Sequence, residues 1–74
     1  MKQPVVSGKE VIKALTKVGF KAVRHKGSHV RLEKHTEERV LKVTVPLHKQ
    51  LKKGTLAMIL LHTELSLEDF IKLL

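Results

Sequence analysis

Lys26-Gly27-Ser28-His29 is the stretch of this chain whose residue types and spacing come nearest to chemistry. A flexible glycine turn there would deliver a histidine onto the open face of a hairpin, between Arg24 and Arg31. Imidazole changes charge near neutrality. A positioned histidine can therefore take the 2′-hydroxyl proton of RNA or protonate a leaving oxygen, while cations stabilise charge developing on phosphorus. A histidine in a basic hairpin more often just touches phosphate or water, and spacing alone does not separate the two uses.

Two further cationic groups accompany this motif. Lys9, Lys13 and Lys17 repeat every four residues, which stacks them on one face of a helix. Lys49, Lys52 and Lys53 stand before Gly54-Thr55, beside an expected helix N-terminus whose free N–H groups favour phosphate. The plain alternative for these lysines is a solvated charged surface. The other histidines, His25, His35, His48 and His62, form neither an HExxH motif nor a compact ligand pairing, so no metal site is expected. His62 falls near a helix C-terminus, where a partly cationic imidazole is favourable. There is no glycine-rich loop of the P-loop or dinucleotide type, and no cofactor is expected.

Charge supports the phosphate reading. Fifteen Lys and Arg oppose seven Asp and Glu, for a formal net charge of +8. A polyanionic partner is the natural inference. Distribution sharpens it: between Lys9 and Arg31 the only acid is Glu10, whereas Glu64, Glu68 and Asp69 crowd toward the C-terminus. The chain has no cysteine, two Phe and neither Trp nor Tyr, so an aliphatic core must stabilise it without disulfides. No apolar leader follows Met1-Lys2-Gln3-Pro4 and no stretch is long enough to cross a bilayer, so a cytoplasmic location without membrane association is expected.

The elements that must position these residues are legible from period and punctuation. Ser7-Gly8-Lys9-Glu10 has the form of a capping box and starts a helix at Ser7. Val11, Ile12, Leu15 and Val18 form its apolar stripe, and Gly19 should stop it near Val18. Phe20 to His25 and His29 to Glu33 read as the arms of a hairpin, with Val30 and Leu32 inward and His29, Arg31 and Glu33 outward. After a polar turn from Lys34 to Glu38, a third strand runs from Arg39 to Val45, with Leu41, Val43 and Val45 inward and Pro46 ending it. A basic connector, Leu47 to Lys53, leads to Leu56–His62, apolar on nearly every side and expected as a buried helix. Ser66-Leu67-Glu68-Asp69 caps a terminal helix with the stripe Leu67, Phe70, Ile71 and Leu74. The expected architecture is one α+β domain over residues 1–74, order αβββαα, with helices on one face of a three-stranded antiparallel sheet.

Taken in order, Ser7-Gly8-Lys9-Glu10-Val11-Ile12, Gly19-Phe20, Lys26-Gly27-Ser28-His29, Val43-Thr44-Val45-Pro46 and Gly54-Thr55-Leu56 resemble the HicA toxins. Where the common pattern has a glycine before the last helix, this chain has Glu64-Leu65. The resemblance implies a double-stranded-RNA-binding-domain-like fold and the toxin role of a type II toxin–antitoxin pair. It further implies an endoribonuclease that cleaves messenger RNA and is neutralised by a HicB-like antitoxin. The family's catalytic histidine falls on His29, with Gly27 and Ser28 forming the turn that presents it. Arg24, Lys26 and Arg31 are chosen by position as phosphate contacts, with Lys9, Lys13, Lys17, Gly27, Ser28, Lys49, Lys52 and Lys53 as further RNA contacts. A non-catalytic basic RNA-binding module is the alternative, and a DNA-binding module a third reading.

Overall fold

The capping box at Ser7 forms as its spacing requires. Ser7 Oγ accepts from the Glu10 N–H at 3.1 Å and Glu10 Oε1 accepts from the Ser7 N–H at 2.9 Å. These bonds start α1, Gly8–Thr16, in a computed structural model that describes residues 2–74. The helix stops two residues short of Val18. Gly19, at φ 101°, lets the Phe20 N–H reach back to the Leu15 carbonyl and closes the last turn. Phe20 does not start a strand. Its ring drops into the core, with the Lys34 ammonium 5.8 Å from its centroid.

Three antiparallel strands follow: β1 Lys21–Lys26, β2 His29–His35 and β3 Val40–Pro46, in the order β1-β2-β3. Val30, Leu32, Val43 and Val45 are buried, while His29, Arg31, Lys42 and Thr44 are exposed. The alternation thus separates an apolar face from an open polar one. Leu41, expected inward, is half-buried and packs against the core from the start of β3. The helical layer is completed by α2, Lys53–Thr63, and α3, Leu67–Leu73, giving the order αβββαα of an α+β fold. The core cluster joins Val11, Ala14 and Leu15 of α1 to the inner sheet face, to Leu56, Ile59 and Leu60 of α2 and to Phe70 of α3.

α2 departs from the fully buried helix expected of so apolar a run. It starts at Lys53, not Leu56, and buries only Leu56, Ile59, Leu60 and Thr63. Met58 and Leu61 remain 52% and 70% exposed, because the helix packs mainly along β3, leaving the far side of its cylinder uncovered. In α3, Phe70 carries the burial, and Leu74 of the expected stripe falls just past the helix end and is exposed.

Two close approaches fix the corner after β3. Gly8 is buried, and a Cβ there would overlap the Pro46 carbonyl, so only glycine lets α1 seat against the end of β3. Its N–H donates to the His48 carbonyl at 2.9 Å, and the Leu51 N–H donates to the Val6 carbonyl at 2.9 Å. The connector is thereby held between α1 and the sheet.

Candidate functional site

The β1–β2 hairpin has a two-residue loop, since Lys26 pairs with His29 across Gly27-Ser28. Gly27 has φ 59° and Ser28 a negative φ, the sign pattern of a type II′ turn with glycine at its first central position. No atom stands within 4 Å of a Cβ built on Gly27, so the requirement for glycine is conformational, not steric. Two hydrogen bonds hold the turn. His25 Nε2–H donates to the Gly27 carbonyl at 2.9 Å, and beyond Pro46 the Leu47 N–H donates to the Ser28 carbonyl at 2.6 Å. His29 therefore follows a turn fastened to both neighbouring strands.

A β-bulge completes the arrangement. Ala22 pairs with Leu32 and Arg24 with Arg31, so Val23 is left without a partner. That extra residue reverses the alternation along β1, and Arg24 and Lys26 share the open face with His29 and Arg31. Nothing in the apolar pattern of Phe20 to His25 marks the bulge. Its cost is visible at Val23, half exposed on an edge strand that no helix covers.

Arg24, Lys26, His29, Arg31 and Thr44 line a cleft of about 270 Å³ on this face. Arg24 stands directly opposite Arg31, a like-charge pairing that disfavours the hairpin. No salt bridge involves Arg24, Lys26 or Arg31 among the described residues. Most of the acids are engaged elsewhere. Glu33 bonds His35, Glu38 and Glu64 bond Arg39, and Glu68 pairs with Lys72. Glu33 shares a strand face with His29 but turns to His35, so no carboxylate orients the imidazole. Among the described residues the side-chain hydrogen-bond partner of His29 Nδ1 is the Ser28 hydroxyl at 3.5 Å, the outer limit of a hydrogen bond. Chemically, an exposed imidazole among unpaired cations is an arrangement able to receive a phosphate and to exchange a proton with its oxygens.

A family model described as the HicA toxin of bacterial toxin–antitoxin systems matches residues 8–65. The chain belongs to the HicA toxin family. The match takes in α1, the whole sheet with its cleft, and α2, so the HicA assignment covers every residue of the site. No curated protein matches the chain. As a HicA toxin the chain is the toxic half of a pair, and an antitoxin is its partner.

The structure gathers Arg24, Lys26, His29 and Arg31, with Gly27 and Ser28 as the turn below them. It does not bring the α1 lysines to this cleft. Lys9 and Lys13 are exposed on α1 and Lys17 at its C-cap, in the helical layer, where Lys17 Nζ donates to the Leu73 carbonyl at 2.8 Å and caps α3. Lys49, Lys52 and Lys53 are exposed around the start of α2, whose N-cap, Lys52, makes no side-chain capping bond. Of these three, Lys52 lines a second groove, about 720 Å³, that shares Arg31 and Thr44 with the cleft. Three residues carry positioning roles unmarked in the sequence reading: His25 on the turn, Gly8 at the corner and Val23 at the bulge. A histidine two residues before a tight turn was a readable hint for the first; the other two depend on contacts between distant segments.

Proposed function

We propose that this HicA toxin is a metal-independent endoribonuclease that cleaves messenger RNA at the β1–β2 cleft, with His29 as its acid–base group. The observation that carries the reading is the exposed His29 imidazole among Arg24, Lys26 and Arg31, none of which pairs with an acid among the described residues. The scissile phosphate would lie against the two guanidiniums and the ammonium. The RNA 2′-hydroxyl attacks phosphorus, the bond from phosphorus to the 5′-oxygen breaks, and a 2′,3′-cyclic phosphate and a free 5′-hydroxyl result. His29 serves this step by taking the 2′-hydroxyl proton or by giving a proton to the departing 5′-oxygen, and solvent water supplies or takes up the other proton. The cations offset the charge that gathers on the phosphoryl oxygens. Lys9, Lys13, Lys17, Lys49, Lys52 and Lys53 are the candidate contacts for flanking phosphates, and a HicB-like antitoxin is the proposed partner that covers the cleft.

A non-catalytic RNA-binding module is favoured by one feature, the lack of a carboxylate on His29. Incubation of RNA with purified wild type and His29→Ala, each with and without a chelator, decides between them. Cleavage by wild type alone, insensitive to the chelator and leaving cyclic phosphate ends, is expected. Binding without cleavage by either protein would establish the module reading.

A further inference from the structure

The cleft at His29 does not end at Arg31. Arg31 and Thr44 also line the larger groove, about 720 Å³, which runs between the open side of β3 and the exposed flank of α2. That volume lies within the range of roughly 300–1,000 Å³ in which small-molecule sites fall. Its sheet side presents Arg31, Lys42 and Thr44, and its helix side presents Met58 and His62 above Lys52. Met58 and His62 are four residues apart on α2 and so stand one above the other on the same flank. The groove thus has cations at its mouth and an apolar, partly planar wall.

We infer that this groove is a nucleobase subsite, seating one unpaired base of the RNA strand next to the phosphate held at His29, with His62 and Met58 as the residues that grip the base. The inference rests on the reading of the cleft as an RNA site. Composition narrows the choice of gripping residue. Proteins hold splayed bases on the flat faces of Phe, Tyr, Trp, His or Arg. This chain has no Tyr or Trp, and both its Phe rings are buried. The flat side chains left for a base are therefore histidine and arginine. Of the five histidines, His62 alone lines the large groove, as His29 alone lines the small one. Met58, 52% exposed, supplies adaptable apolar contact beside it. The occupant must be single-stranded, because a base stacked and paired in a duplex cannot enter a groove walled by a strand and a helix.

The test measures affinity for short single-stranded RNAs made uncleavable by 2′-O-methyl substitution. It compares homopolymers of each base with a base-free sugar–phosphate strand of equal length. Wild type, His62→Ala, His62→Phe and Met58→Ala are used, each verified by circular dichroism. His62→Ala is expected to weaken binding of at least one base-bearing strand about tenfold. It should leave the base-free strand unchanged, and His62→Phe should restore the loss by keeping a flat ring. Met58→Ala should lose in the same direction, by less. Equal affinities of wild type and His62→Ala for every base-bearing strand, or an equal loss on the base-free strand, would overturn the subsite. In a parallel cleavage assay, wild-type cutting with no effect of His62 removes only the subsite. Base-dependent binding through His62 without cleavage removes only the nuclease reading and upholds the subsite. A wild type that binds no RNA removes both.

Discussion

His29 is exposed, and its side chain fills no part of the core, so its loss should act on chemistry and not on folding. His29→Ala is expected to keep its thermal midpoint while cleavage falls by about 10² to 10⁴, the usual worth of a general acid or base. An unchanged rate in a folded variant would remove His29 from the mechanism. Arg31 offers a sharper contrast, because it faces Arg24 across the hairpin with no acid between them. Like charges directly opposite destabilise a strand pair. Arg31→Ala should therefore melt no lower than wild type and still bind and cut RNA worse, a combination that a structural arginine would not give. Gly27 belongs to the same scale: at φ 59° an L side chain costs roughly 1–2 kcal/mol, and no neighbour compensates. That sequence order, glycine then serine then histidine, was enough to place the turn; its II′ form needed the strand pairing on either side.

At the scale of elements, the corner where α1 meets the end of β3 governs the placement of the hairpin. Gly8 abuts the Pro46 carbonyl, and the next N–H along, that of Leu47, fastens the turn at Ser28. Gly8→Ala should separate α1 from the strand and cost about 1–3 kcal/mol, as overpacking typically does. Urea unfolding should show the lowered midpoint, and amide exchange should show Leu47 loosened with it. Retention of wild-type stability would mean that the corner yields without strain. The helices themselves were legible from capping boxes and stripes, and the strands from their alternation. What failed was the reading of Leu56–His62 as buried all round. A run of apolar residues records no direction, and only the position of α2 along β3 decides that Met58 and Leu61 face outward.

Across the whole molecule, a net charge of +8 acts on any polyanion at a distance, and the proposed function has it land at the cleft. RNA affinity should fall with salt at a log–log slope of roughly −0.7 per phosphate neutralised, hence about −2 for a cleft with three cations. A flat salt dependence would set aside the phosphate contacts. If Lys13 and Lys17, which lie in the helical layer, also touch the strand, their replacement by Gln would make the slope shallower. The antitoxin partner should present acids to the hairpin and shield His29, a point that hydrogen exchange of the toxin with and without its partner would check. A cognate complex that inhibits cleavage yet leaves the hairpin as exchangeable as before would show that inhibition does not work by masking.

The order αβββαα, the basic character of the chain, the turn before His29 and the family resemblance are all written in the residue order. These are local or summed properties: caps, periods of two and of 3.6, and charge count survive without knowledge of what packs where. Tertiary structure alone decided that Arg24 joins His29, through a bulge at Val23 that no apolar pattern records. It also decided that the α1 lysines stand in the helical layer, apart from the cleft, and that His62, on a helix far along the chain, lines a groove continuous with His29. The physical reason is the same in each case. Which side chains share a surface depends on the register between strands and the seating of helices, and those are set by contacts between segments that the chain order keeps apart.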